Sequence, residues 1–159
     1  MPWLELEVNG RSHRVEVELS TTLLEVLREQ LQITSPKNGC NGGDCGTCSV
    51  LLDGMLVKAC ITNALAVHGR RVQTVEGLAE PGELHPLQEA FHAHYGAQCG
   101  FCTPGMILAA KALLDEKPSP TRKEVQEAVS GNLCRCTGYV KIIDSVMEAA
   151  CKLGDGGSR

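Results

Sequence analysis

In the first half of the chain, apolar and polar positions alternate in short runs. Leu4, Leu6 and Val8 are separated by Glu5 and Glu7, the period-two pattern of a half-buried strand. Asn9-Gly10 is a strong hairpin turn, and Val15, Val17 and Leu19 alternate on the predicted return strand. Thr22-Leu-Leu-Glu25 has the form of a capping box. It opens a predicted helix whose apolar face is Leu24, Leu27 and Leu31, with Leu23 at the margin. Ser49–Leu52 and Met55–Ala59 predict a second hairpin around Asp53-Gly54. Arg71–Val75 predicts one more short strand.

The pattern changes at Glu80-Pro81-Gly82-Glu83, a turn-forming break. Helical spacing dominates beyond it. Leu84, Leu87 and Phe91 predict a first helix, with Pro86 near its start. Met106, Ile107, Ala110, Leu113 and Leu114 predict a second. Pro104 stands where a proline opens a helix at little cost, and Lys117-Pro118-Ser119-Pro120 ends it. Thr121-Arg-Lys-Glu124 is another capping box, followed by Val125, Ala128 and Val129 on a core face. Gly131 is a plausible stop. A last helix carries Tyr139, Ile143, Val146, Met147 and Ala150, and Gly154–Arg159 is expected to fray. The expectation is an α+β chain, with a small mixed sheet crossed by one helix over residues 1–79. A four-helix bundle follows over 80–159.

Composition sharpens this picture. The 159 residues are 43% hydrophobic but only 3% aromatic. Small domains short of bulk usually need a metal or disulfide staple. Nine cysteines supply the means. A net charge of −4 argues against nucleic acid or an anionic membrane surface as partner. No apolar run follows a basic start, and no stretch has the length of a membrane span. The expected location is cytoplasmic, where thiols stay reduced and a disulfide scaffold is disfavoured. Eight cysteines fall in tight motifs and one, Cys151, does not.

Gly39–Cys48 reads G-C-N-G-G-D-C-G-T-C, and Cys60 lies beyond it. Cys40, Cys45, Cys48 and Cys60 have the C-x4-C-x2-C…C spacing of a plant-type [2Fe–2S] site. Four thiolates converging on two irons need a tight backbone wrap, which Gly39, Gly42, Gly43 and Gly46 permit. Their N–H groups can then face the sulfurs as a nest faces an anion. A structural zinc site is the duller alternative, but such sites bring ligands in two short pairs. The order hairpin, helix, Cys-rich loop, hairpin resembles the β-grasp fold of plant-type ferredoxins.

Two further pairs, Cys99/Cys102 and Cys134/Cys136, each precede a predicted helix start. Free N–H groups and the positive end of the helix dipole favour an anionic thiolate site there. Two antiparallel neighbours could bring the four thiolates together. On spacing alone, zinc stays open for this set.

The motifs Gln98-Cys99-Gly-Phe-Cys102-Thr-Pro-Gly105 and Gly131-Asn-Leu-Cys134-Arg-Cys136-Thr-Gly-Tyr139 resemble the iron–sulfur subunit of the molybdenum hydroxylase (xanthine dehydrogenase) family. The first loop, G-C-N-G-G-D-C-G-T-C-S-V, matches the same family's N-terminal motif. The resemblance covers about residues 4–150 and includes all eight motif cysteines. It extends to the small subunits of carbon monoxide dehydrogenase, 4-hydroxybenzoyl-CoA reductase and aldehyde or N-heterocycle oxidoreductases. It implies an N-terminal β-grasp (2Fe-2S ferredoxin-like) domain, then a helical 2Fe-2S domain. Cys40, Cys45, Cys48 and Cys60 would hold the cluster on the flavin side. Cys99, Cys102, Cys134 and Cys136 would hold the one on the molybdenum side. The residue matching Gln98 hydrogen-bonds the pterin, and the ligand matching Cys136 lies beside the pterin amino group. The implied partners are a large subunit with molybdopterin, often as the cytosine dinucleotide, and usually a medium subunit with FAD. A heterotrimer or its dimer is the expected assembly.

Other residues draw plainer readings. Arg135 either compensates thiolate charge or is a solvated surface arginine. Tyr139 reads as a core aromatic rather than an electron relay, and Cys151 as an inert buried thiol. His13, His68, His85, His92 and His94 show no ligand spacing with any cysteine and read as surface or structural. No Rossmann or Walker pattern appears. A free-standing two-cluster ferredoxin and a zinc-stabilised interaction module remain the alternatives. The substrate and the terminal acceptor are not written in this chain.

Overall fold

The computed structural model describes residues 1–155. Strand β1 (Trp3–Val8) and strand β2 (Arg11–Glu16) form the first hairpin. Asn9 and Gly10 both take positive φ, 51° and 78°, as a two-residue turn with the twist of its flanking strands requires. Asp53 and Gly54 repeat this geometry, at 48° and 86°. They join β3 (Ser49–Leu52) to β4 (Met55–Lys58). Strand β5 (Arg71–Gln73) is short but central. It runs parallel to β1 through Val8↔Val72 and antiparallel to β3 through Leu52↔Val72. The sheet order is β2-β1-β5-β3-β4. The last strand in the chain thus welds the two hairpins together.

One helix crosses this sheet, giving the expected β-grasp arrangement. Thr22 caps it as anticipated. Its hydroxyl accepts from the Glu25 N–H, and Glu25 accepts from the Thr22 N–H at 2.7 Å. Helix α1 (Leu23–Glu25) then widens into a π-helical stretch, Val26–Gln30. The buried face differs from the expected one. Leu23 and Val26 are fully buried beside Leu24 and Leu27, while Leu31 is only partly covered. Leu23, Leu24, Val26 and Leu27 share one helical face, so Leu23 is central rather than marginal. The return strand also ends earlier than its alternation suggested. Val17 is buried just past β2, and Leu19 is 76% exposed.

Among the described residues, four helices make the second half: α2 (Pro86–Ala93), α3 (Thr103–Glu116), α4 (Arg122–Val129) and α5 (Val140–Asp155). Leu84 lies outside α2 and is exposed. The cap there is His85, whose Nδ1 accepts from the Leu87 N–H while Gln88 Oε1 accepts from the His85 N–H. Thr121 and Glu124 form the capping box of α4. Tyr139 precedes α5 with φ of 70° instead of lying on it. Helix α5 continues through Gly154, where fraying was expected. Residues 156–159 of that expected tail lie outside the described residues. Cys151 is exposed, not buried, because it falls on the outer side of α5.

Each half has its own apolar cluster. Leu4, Leu6, Leu23, Leu27, Val50 and Val72 belong to the first. Phe91, Met106, Val125, Ile142 and Val146 belong to the second. The halves meet along a seam where α3 lies against the loop leading into β3. Gly105 of α3 and Gly46 of that loop come so close that a Cβ on Gly105 would stand 2.5 Å from the Gly46 carbonyl oxygen. A Gly105→Ala substitution therefore forces the halves apart, at a cost of about 1–3 kcal/mol. The expected outcome is a thermal midpoint lower by about 5 °C in circular dichroism melts. An unchanged midpoint would contradict the close approach.

Candidate metal centres

The Cys-rich loop is positioned from both ends. The Lys37 N–H donates to the Thr47 carbonyl at 2.9 Å, closing the neck of the loop, and β3 begins at Ser49 immediately after Cys48. Inside the loop, backbone donors turn toward sulfur. The N–H groups of Gly42 and Cys45 both point at Cys40 Sγ, each at 3.4 Å. The Thr47 hydroxyl lies 3.2 Å from Cys45 Sγ. At Gly39 the wrap leaves no room for a side chain, since a Cβ would stand 2.7 Å from Cys45 Sγ.

The second set is built by helix starts. Cys102 immediately precedes α3, and Cys99 lies three residues earlier in the loop that enters it. Cys134 and Cys136 stand in the loop before α5. Thr137 donates to Cys134 Sγ from its hydroxyl at 3.1 Å and from its backbone N–H at 3.4 Å. The Tyr139 hydroxyl accepts from the Cys134 N–H at 2.9 Å and reaches the Asn132 carbonyl at 3.3 Å. Tyr139 is thus a half-buried aromatic with a polar tie to the loop.

Within each set the thiols come near one another. Cys40 stands beside Cys45, and Cys48 beside Cys60. Cys102 stands beside Cys134, and Cys99 beside Cys136. In the second set, each pair takes one sulfur from each motif. Among the described residues, no three His, Cys, Asp or Glu side chains close on one point as ligands of a single ion would. Burial differs within each set. Cys48, Cys60 and Cys102 are buried, whereas Cys40, Cys99 and Cys136 are exposed. Each set therefore has an inner and an outer pair.

Local electrostatics follow this division. The N–H groups of Cys45 and Gly42 lower the Cys40 thiol to about 6, since donors stabilise the thiolate. Burial pushes Cys60 up to about 11 and Cys102 up to about 12. Burial is the largest influence on Cys134 and acts to raise it, but the Thr137 donors, the Cys102 thiol and the Cys136 N–H together lower the thiol. The neighbouring Cys99 thiol raises Cys136. Such a donor set suits a group that is anionic at sulfur and shared by two pairs of thiolates. Thr103 Oγ1, next to Cys102, is buried without a hydrogen-bond partner among the described residues, as fits a hydroxyl awaiting an acceptor.

The two sets adjoin through the seam. The Leu133 N–H donates to the Cys45 carbonyl at 2.8 Å, joining a residue of the first set to the neighbour of Cys134. Asn132, 1% exposed, donates from Nδ2 to the Gly46 carbonyl at 2.9 Å and to Ser49 Oγ at 3.3 Å. Lys58 Nζ reaches across to the Gly131 carbonyl at 2.7 Å. Sequence reasoning misses Asn132, Thr47, Thr137 and Lys58. Thr47 and Thr137 carry the signal of standing beside cysteines, whereas Lys58 carries none. Gln98 and Arg135 are exposed next to the outer pair of the second set. His68 accepts from the Glu5 N–H, so it and the capping His85 serve the fold. No helix among the described residues is long and apolar enough to cross a membrane.

Each half of the chain also matches a known family. A profile described as a 2Fe-2S iron-sulfur cluster binding domain matches residues 6–75, and one described as a [2Fe-2S] binding domain matches 74–147. The nicotine 6-hydroxylase small subunit of Paenarthrobacter nicotinovorans is 48% identical over 152 residues, covering 96% of this chain and 92% of that protein. The nicotinate dehydrogenase small FeS subunit of Eubacterium barkeri is 46% identical over 146 residues, covering 92% of this chain and 93% of that protein. The crystal structure of quinoline 2-oxidoreductase from Pseudomonas putida 86 contains a chain that superposes with a TM-score of 0.94 at 41% identity, covering 99% of this chain and 98% of that one. A two-part fold with a 2Fe-2S-binding site in each part, matched along nearly its whole length by such subunits, places the chain in the iron–sulfur small-subunit family of the molybdenum hydroxylases, as an electron-transfer subunit of an oxidoreductase.

Proposed function

We propose that Cys40, Cys45, Cys48 and Cys60 hold one [2Fe–2S] cluster and Cys99, Cys102, Cys134 and Cys136 the other. The gathering of the thiols of each set supports this reading, since such a cluster takes four cysteines. Residues 1–79 and 80–159 are the corresponding domains. Bound there, the clusters supply one-electron steps that link a two-electron oxidation at molybdenum to a separate acceptor.

The observation that carries the path of transfer is the Leu133 N–H···O=C Cys45 bond. It offers a short route of covalent bonds and one hydrogen bond between a ligand of each set. The outer pair Cys99/Cys136 then faces the donor, and Cys40, exposed at the other site, faces the acceptor. Gln98 stands next to Cys99 and is free to donate or accept toward a pterin on a partner. Exposed Phe101 (46%) and Leu133 (57%) flank the second set, and apolar surface beside a redox site is suited to burial under an obligate partner. The partner of this reading is a large subunit carrying molybdopterin, with the cytosine dinucleotide as the favoured form. A medium subunit carrying FAD completes a cytoplasmic heterotrimer or its dimer. Native purification with identification of copurifying subunits and cofactors tests this. Recovery of the chain alone, with full iron, would instead favour a free carrier.

Two variants probe the ligand assignment. Cys136→Ala should remove one of the two [2Fe–2S] EPR signals and stop electron delivery to the acceptor. Reduction of the molybdenum centre by substrate should persist in the assembled complex. Normal turnover in that variant would refute the path. Cys151→Ser, on the exposed side of α5, should leave both EPR signals at full intensity. Loss of either would show that the ligand set is wrong.

A further inference from the structure

Lys58 closes β4, two residues before Cys60. Its half-buried side chain turns toward the second half of the chain. It donates to the Gly131 carbonyl at 2.7 Å and reaches Ser49 Oγ at 3.3 Å and Asn132 Oδ1 at 3.5 Å. Ser49 follows Cys48, and Gly131–Asn132 leads into Cys134. The charge is therefore held at the seam, on residues that adjoin Cys48 in one half and lead into Cys134 in the other. The polar atoms around it are all neutral. None of the eight ion pairs among the described residues includes Lys58.

A part-buried cation held by neutral dipoles is poorly screened by salt, and it gains most where anions lie near it. Lys58 stands two residues from Cys60, and its partners adjoin Cys48 and lead into Cys134. We propose that Lys58 is a positioning residue that acts as a shared counter-charge for both cysteine sites, raising the reduction potential of both clusters. Each cluster gains one negative charge on reduction, so a fixed cation between them favours the reduced form of each. This proposal rests on the ligand assignment given above. Its hydrogen bond to Gly131 also helps hold the seam, but holding the seam does not by itself set a potential.

The test is an EPR-monitored redox titration of the iron-loaded complex. Lys58→Met should lower both midpoints by about 59 mV, a roughly tenfold loss in each one-electron reduction equilibrium. Lys58→Arg, which keeps the charge, should return both toward the wild-type values. If Lys58→Met loses iron, Lys58→Gln retains an N–H donor for the Gly131 carbonyl and is read in the same way. Two clusters at wild-type iron content with either midpoint unmoved would overturn the shared role. Absence of two [2Fe–2S] signals in the wild-type complex would instead overturn the ligand assignment, and this proposal with it.

Discussion

A single backbone contact, the Cys45 carbonyl accepting from the Leu133 N–H, governs how the two halves of this chain are arranged. It forms only if a helix and a loop pack with no side chain between them, which is what Gly46 and Gly105 allow. Around it the remaining polar groups are matched one by one. Asn132 satisfies Gly46 and Ser49, and Lys58 satisfies Gly131. Two domains with separate apolar clusters could otherwise move relative to each other, since interfaces within a chain are usually polar and mobile. Here, buried polar groups left without partners would oppose any slippage.

The cysteines show a second constraint, the conflict between burial and charge. Burial disfavours a thiolate, and Cys60 and Cys102 carry that penalty in their raised values. The loops answer with N–H and hydroxyl donors aimed at Cys40 and Cys134. In each set, then, some sulfurs are deep and poorly solvated while others are exposed or well supplied with donors. The same chemical element is thus presented in two environments at each site.

Much of this is legible in the sequence, and for definable reasons. Strand pairs with Asn9-Gly10 and Asp53-Gly54 turns are local decisions, as are the Thr22 and Thr121 capping boxes, and spacing alone reveals them. The cysteine motifs are equally plain because ligand spacing is a covalent constraint. What stays hidden depends on contacts between distant segments. Lys58 looks like the end of an ordinary strand until Gly131 arrives beside it. Asn132 has no signature separate from its motif. Leu19 keeps the alternation of its strand but has no sheet left to face. Counting places Cys151 near an apolar face, and the helix turns it outward.

The π-helical stretch Val26–Gln30 has a structural consequence for the approach to the first site. Its extra residue per turn sets the direction of Arg28, whose guanidinium donates to the carbonyls of Thr34 and Pro36 at 3.0 and 2.8 Å. Those carbonyls belong to the strap that runs into Lys37 and the neck of the loop. Each residue rotates a helix by roughly 100°. Deleting one residue there would restore a regular helix and swing the guanidinium off the strap. Chain length in that turn is therefore a spatial gauge, and shortening it would unfasten a loop that lies well downstream.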